Sequence, residues 1–171
     1  DVGVFYTNDE AEIFGQDAIF NWGVSISNIG AKISYTNDAV ADFIPINLRF
    51  GPSATFLLDD YNSITVLTDI NKLLVPTPPI YATTDGGSPI LDDDGNPVVA
   101  AGKNPDVPIV TGIMQSFSDA PGGFSEELKE YNLSAGLEYW YNKQFAVRTG
   151  YFHESAIKGN RRYITAGLGL K

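Results

Sequence analysis

The strongest constraint on this chain is a period of two. From Ile44 to Leu58 the even positions read Ile44, Ile46, Leu48, Phe50, Pro52, Ala54, Phe56 and Leu58. The odd positions read Pro45, Asn47, Arg49, Gly51, Ser53, Thr55 and Leu57. Side chains alternate between the two faces of a strand, so the pattern specifies a strand with one apolar and one mostly polar face. Pro52 has no N–H to give to a ladder, and a bulge or break is expected near it. A turn is expected at Asp59-Asp60-Tyr61-Asn62. Beyond it Ile64, Val66 and Ile70 share one face, opposite Ser63, Thr65, Asp69 and Asn71, with Leu67 as the exception. Upstream, Trp22, Val24 and Ile26 alternate with Gly23, Ser25 and Ser27. The phase slips at Asn28-Ile29-Gly30, where a bulge or turn is expected, and resumes at Ile33 and Tyr35.

The same alternation returns near the end of the chain. Tyr131, Leu133, Ala135, Leu137, Tyr139 and Tyr141 form one face, with Asn132, Ser134, Gly136 and Glu138 on the other. Phe145, Val147, Thr149 and Tyr151 follow, and then Ile164, Ala166, Leu168 and Leu170. One register can be worked out. A three-residue turn at Asn142-Lys143-Gln144 pairs Tyr141 with Phe145, Tyr139 with Val147 and Glu138 with Arg148, so both faces stay consistent. A two-residue turn sets Glu138 against Val147 and flips every pair. A Glu138–Arg148 cross-strand pair is therefore expected.

Alternation alone does not say which face meets water. A soluble sandwich buries the apolar face, whereas a membrane barrel turns it to lipid. Three features favour the barrel. The strands are long, against about 5–6 residues in soluble proteins and ~9–11 in membrane barrels. The face from Tyr131 to Tyr141 is aromatic at its ends and aliphatic in the middle, as at two membrane interfaces. The connections are unequal, two tight and one very long, from Pro76 to Glu130. No run approaches the ~18 apolar residues of a membrane helix. Apolar residues make up 43% of the chain, which argues against wholesale disorder, and 17 glycines and 12% aromatics suit β structure. The reading is all-β: an antiparallel transmembrane β-barrel, with residues 1–171 part of one barrel and 76–130 a long, extracellular loop insertion. Six or seven strands are counted, against at least ~8 in bacterial barrels. The chain opens Asp1-Val2-Gly3-Val4 without a signal peptide and stops at Lys171 without a terminal aromatic residue, so a fragment of a larger barrel is expected.

The net charge of −10 is concentrated. Between Pro76 and Glu130 nine acids face two lysines, a net −7. Such a segment repels phosphate backbones, and nucleic acid is not expected as a partner. There is no cysteine, which excludes disulfides and thiolate chemistry. His153 is the only histidine, too few ligands for zinc, and no nucleophile elbow or phosphate-binding glycine motif is present. Asp92-Asp93-Asp94-Gly95-Asn96-Pro97 fails as a calcium loop, because its sixth residue is Pro97 where glycine is needed; a small hairpin turn is the better reading. No catalytic residue, cofactor or metal site is expected.

Several segments resemble the PorV family of the type IX secretion system. They are Gly30-Ala31-Lys32-Ile33-Ser34-Tyr35-Thr36, Asp42-Phe43-Ile44-Pro45-Ile46-Asn47-Leu48-Arg49, Asn71-Lys72-Leu73-Leu74-Val75-Pro76-Thr77-Pro78-Pro79, and the run from Gly122 to Glu154. The likeness is densest at Leu73–Pro79 and Gly122–Glu154, and thinnest over Asp1–Phe20 and Ala82–Val110. It implies roughly the carboxy-terminal half of a barrel similar to the long-chain fatty-acid transporter FadL, in the outer membrane of a Gram-negative bacterium. It implies a non-enzymatic role in secretion. Such a protein binds the C-terminal signal domain of cargo leaving a giant translocon barrel and covers a side opening in the translocon wall. It then shuttles cargo to a sortase-like attachment complex at the cell surface. Two rival readings stand beside it: a FadL-type transporter of hydrophobic small molecules, and a soluble or surface β-sandwich adhesin.

Candidate partner-binding residues are the apolar ones in the long segment: Ile80, Tyr81, Ile113, Met114, Phe117 and Phe124. Pro76-Thr77-Pro78-Pro79 stiffens the exit from the preceding strand. Ser125 is expected to cap a short helix with acids in its first turn. Asn47, Arg49, Ser63, Thr65, Asp69, Glu138 and Arg148 are expected to face a lumen, with charges of both signs paired.

Overall fold

The computed structural model describes residues 1–34 and 41–171. Tyr35 and Thr36, part of the resumed alternation and of the family-like segment, lie outside the described residues. In chain order the elements are β1 (Val2–Ile13), β2 (Gln16–Ser27), β3 (Asn47–Leu57), β4 (Asn62–Leu73), β5 (Ile80–Tyr81) and β6 (Val99–Ala101). Then come α1 (Ile109–Gln115), α2 (Phe124–Glu127), a 3-10 turn at Leu128–Glu130, β7 (Asn132–Tyr141), β8 (Phe145–His153) and β9 (Arg162–Leu170). They fall into two compact units. One comprises Asp1–Ser27, Asn47–Lys72 and Tyr131–Lys171; the other comprises Asn28–Ile46 and Leu73–Glu130.

The first unit is a seven-stranded sheet in the order β1-β2-β3-β4-β7-β8-β9. It is an antiparallel meander and is not closed, with β1 and β9 at its two ends. Its strands run from 9 to 12 residues. The fold is all-β, as the alternation requires. The β7–β8 hairpin follows the expected register: Tyr141 pairs with Phe145, Tyr139 with Val147 and Glu138 with Arg148. Asn142 and Lys143 carry the reversal at φ 50° and 53°. At the β3–β4 turn the Asp59 carboxylate accepts the N–H groups of Tyr61 (2.8 Å) and Asn62 (2.7 Å).

Three details depart from the sequence reading. β3 begins at Asn47 rather than Ile44, because the Ile46 N–H turns back to the Ile44 carbonyl (2.7 Å). Pro52 brings no bulge toward β2: pairing runs without a shift from Ala18↔Phe56 to Ser27↔Asn47. A missing N–H deletes one ladder bond and needs no extra residue. The first hairpin, β1–β2, was not expected. A two-residue turn at Phe14 (φ 55°) and Gly15 (φ 76°) makes it, the left-handed pair a tight hairpin needs. At Asn28 the chain leaves β2 with φ 58°, which supplies the turn expected there, and Ile33 makes a bridge to Asp42.

The register sorts the sheet into two faces. Val4, Val24, Phe50, Val66, Leu137, Val147 and Leu168 lie on one; Ser25, Arg49, Asp69, Ser134, Glu138 and Arg148 lie on the other. No described residue of this unit covers the apolar face: Leu168 is 74% exposed, and Val66, Leu137 and Val147 are also exposed. Among the described residues of this unit the fully buried apolar side chains are Ala18 and Ala146. Burying one Val or Leu is worth about 1.5–3 kcal/mol, so this face needs a lipid or protein cover.

The β8–β9 connection is closed by Glu154, which is 4% exposed. Its carboxylate takes the Arg161 Nε and Nη2 groups, both at 2.8 Å. That guanidinium holds the Glu154 carboxyl below its usual range. A depressed folded-state value means that the stabilisation is present above the unfolded value of about 4.3 and is lost as pH falls through the folded value. Amide protection factors in Ser155–Asn160 are therefore expected to drop on acidification, and to be low already at neutral pH in Glu154→Gln. Equal protection in the variant and the native protein at pH 7 would count against this clip.

Candidate functional site

On the polar face, charges pair across strands, although Asp69 Oδ1 is buried with no hydrogen-bond partner. Arg49 lies 3.5 Å from Asp69, and Arg148 Nε donates to Glu138. Glu138 also accepts the Trp140 indole N–H (2.6 Å), and the Arg148 guanidinium lies over the Trp140 ring. Thr55 and Thr65 share a hydrogen bond of 2.8 Å. Thr7 donates to Asn21 (2.7 Å), which donates to Ser53 (3.5 Å). The expected face set of Asn47, Arg49, Ser63, Thr65, Asp69, Glu138 and Arg148 thus shares one side of the sheet.

Between the charged pairs this face is floored by glycine. Gly23 pairs with Gly51, and Gly136 with Gly150. Two open recesses result. One of about 560 Å³ is lined by Phe5, Gly23, Arg49, Gly51 and Asp69 among others; one of about 460 Å³ by Leu67, Gly136, Glu138, Arg148 and Phe152 among others. Leu67, the exception in the β4 alternation, pairs with Gly136, where an added Cβ would come within 3.1 Å of it. A large side chain thus lies over the backbone that the glycine leaves bare. Phe5 stands over Gly23 in the same way.

The second unit has its own short elements. β5 pairs with β6, and Leu91 bridges Pro97 around the turn at Asp92–Asn96, where the Asp92 carboxylate accepts the N–H groups of Asp94 (3.0 Å) and Asn96 (2.8 Å). The small hairpin expected there is present. α1 turns its Gly112 side to Phe43 and Pro76, with no room for a Cβ, and leaves Val110 and Met114 exposed one turn apart. α2 begins at Phe124, with Gly123 as N-cap, so Ser125 lies inside the helix and does not cap it. The expected acids, Glu126 and Glu127, are in the first turn; no side chain caps the helix, and Glu126 instead accepts the N–H of Gly122, the residue before the N-cap (2.8 Å). Of the candidate partner residues, Ile80 and Tyr81 form β5, Ile113 and Met114 lie on α1, Phe117 follows it, and Phe124 opens α2. Phe124, Met114 and Ile80 are the most exposed, at 78%, 67% and 58%, while Ile113 is half-buried. The set is spread over several elements.

One constellation in this unit was missed by sequence reasoning. The carboxylates of Asp119, Glu127 and Glu130 have oxygens within 4.8 Å of one another. Thr77 joins them: its N–H donates to Asp119 Oδ2 (3.0 Å) and its hydroxyl to Glu130 (2.7 Å). Glu127 accepts the Ala120 N–H (3.2 Å). Burial pushes the Asp119 carboxyl above its usual range, with the Thr77 hydrogen bonds opposing. The available signal is four acids within the twelve residues 119–130, of which Glu126 and Glu127 read as helix-start acids.

Residues 1–80 match the family model described as "Type IX secretion system protein PorV". The chain is PorV-like. The match spans just under half of the chain, includes β1–β4 and ends at Ile80. It runs through Asp1–Phe20, where the likeness read from the sequence was thinnest, and stops short of Gly122–Glu154, where it was densest. That family is described as one of type IX secretion. No curated protein matches the chain.

The Glu138–Arg148 pair is partly open to solvent, with side chains 24% and 45% exposed, so its worth is set by the scale for exposed pairs. A double-mutant cycle with Glu138→Gln and Arg148→Gln, read by thermal unfolding in detergent, is expected to give a coupling of about 0.5–1 kcal/mol. Strict additivity would show that the pair sets register without adding stability.

Proposed function

We propose that this chain forms part of an outer-membrane β-barrel in a type IX secretion apparatus, and that it acts without catalysing a reaction. The observation that carries this is the two-faced sheet of 9–12-residue strands with an uncovered apolar side, joined to the PorV match. In this reading the apolar face meets outer-membrane lipid and the paired charges face the lumen. The second unit lies on the cell exterior. Its exposed Met114, Phe117, Phe124, Ile80 and Tyr81 contact protein partners: the C-terminal signal domain of cargo and the rim of the translocon opening. Cargo then passes to the sortase-like attachment complex. Charge helps set partner choice, since a segment of net −7 favours basic surfaces and repels acidic ones.

A second reading has one observation in its favour. The glycine-floored recesses carry Phe5, Leu67 and Phe152 on their walls, as a site for a hydrophobic small molecule would. The ion pairs on the same face interrupt any continuous apolar path, and the secretion reading is preferred. The sandwich reading has less support, because the seven long strands form one sheet and not two facing ones.

The test uses the full-length protein, tagged and purified in mild detergent. The native form is expected to bring down a very large barrel and secreted cargo. Met114→Glu with Phe124→Glu is expected to lower that recovery about tenfold while leaving membrane insertion intact. Replacing residues 76–130 by a Gly-Ser linker should abolish it. If the native form captures no protein, the shuttle reading fails and hydrophobic ligands become the next assay. Protease cleavage within Ala82–Lys103 on intact cells is expected for an exterior unit; cleavage only after opening the outer membrane would reverse the orientation.

A further inference from the structure

We propose that Asp119, Glu127 and Glu130 form a binding site for one calcium ion, which ties the stretch 119–130 to Thr77. Asp119 and Glu127 are 1% and 4% exposed, and Glu130 is half-buried. The three carboxylates present oxygens within 4.8 Å of one another. Glu127 and Glu130 have further partners. The feature that points to a ligand is on Asp119: its Oδ2 accepts the Thr77 N–H, while its Oδ1 is buried with no hydrogen-bond partner. Buried polar atoms almost always find one. Asp69 Oδ1, in the sheet, is the other such atom among the described residues, and it has the Arg49 cation beside it; Asp119 has only further carboxylates, so a cation is what its surroundings lack.

The donor chemistry narrows the choice. All three ligands are hard anionic oxygens without nitrogen or sulfur, which suits calcium or magnesium and not zinc or copper. Calcium holds oxygens at about 2.3–2.6 Å, so ligands on opposite sides of the ion stand about 4.6–5.2 Å apart; for magnesium at about 2.0–2.1 Å the span is about 4.2 Å. Oxygens within 4.8 Å of one another suit either ion; calcium is chosen because it takes several carboxylates in flexible geometry, whereas magnesium usually keeps several waters and takes only one or two. Burial raises the Asp119 carboxyl, and a divalent charge relieves the repulsion among the three groups. This site is separate from the exposed apolar side chains assigned to partner contact, and it does not depend on what they bind.

The test is a calcium titration of the full-length protein in detergent after treatment with a chelator, followed by heat of binding and by protease protection of residues 76–130. One ion per chain is expected, in the range of extracellular sites, about 10⁻⁴–10⁻³ M, with protection rising on addition. Asp119→Asn keeps the size and an acceptor for Thr77, and is expected to weaken binding by about tenfold or more. Glu130→Gln gives a second variant if Asp119→Asn does not fold. No binding by the native protein up to about 10 mM calcium would overturn the proposal, since that lies well above the extracellular range. So would binding unchanged in both variants, or magnesium bound at least as tightly as calcium.

Discussion

Everything in the sheet follows from the pleat. A strand that alternates apolar and polar residues presents two unlike surfaces, and each must find its own surroundings. Here one surface carries charge pairs and hydroxyl contacts, and the other carries Val, Leu, Ile and aromatic side chains that nothing in the sheet unit encloses. A soluble domain of this size would normally hide the second surface under another layer. This chain instead keeps its long strands in a single meander. Fold and proposed environment are thus one statement, made first by the alternation of residue types.

The second unit obeys a different rule. It has few elements, and much of its order comes from side chains that accept backbone N–H groups: Asp92 at its hairpin turn, Glu126 before α2, Glu127 at Ala120 and Asp119 at Thr77. Acidic side chains are well suited to this, since each carboxylate offers several acceptor sites and no donor. The concentration of acids in 76–130 therefore has a structural use beside any electrostatic one.

How legible each part was depends on where its determinants lie along the chain. The β7–β8 hairpin was readable down to the pairing of Glu138 with Arg148, because polarity and turn length together allow one register. β1 was hidden for two local reasons. Between Asn8 and Ala11 the pairing slips, so Asp9 and Glu10 interrupt the alternation, and the turn that follows places Phe14 where Asn or Asp is the usual signal. Leu67, the exception in the β4 alternation, is explained by its cross-strand neighbour Gly136, which no local window contains. The carboxylate group was the least legible, because Thr77 meets Asp119 across 42 residues and Glu130 across 53. Nothing in a local window encodes such convergence. The candidate partner residues were recognisable as apolar in an acidic stretch, but their exposure was not: Ile113 and Met114 are neighbours in sequence with different degrees of exposure.

The glycines of the polar face have a mechanical consequence. Gly23 beside Gly51, and Gly136 beside Gly150, remove side-chain bulk from adjacent strands at the same height. A sheet curls most readily toward the side where it carries least volume, and glycine at matched positions is the usual means of creasing one. Matched glycines at these two heights thus leave the sheet free to crease toward its polar face, as the closure of the proposed barrel requires. The Leu67 and Phe5 side chains laid over them set how far each crease can close.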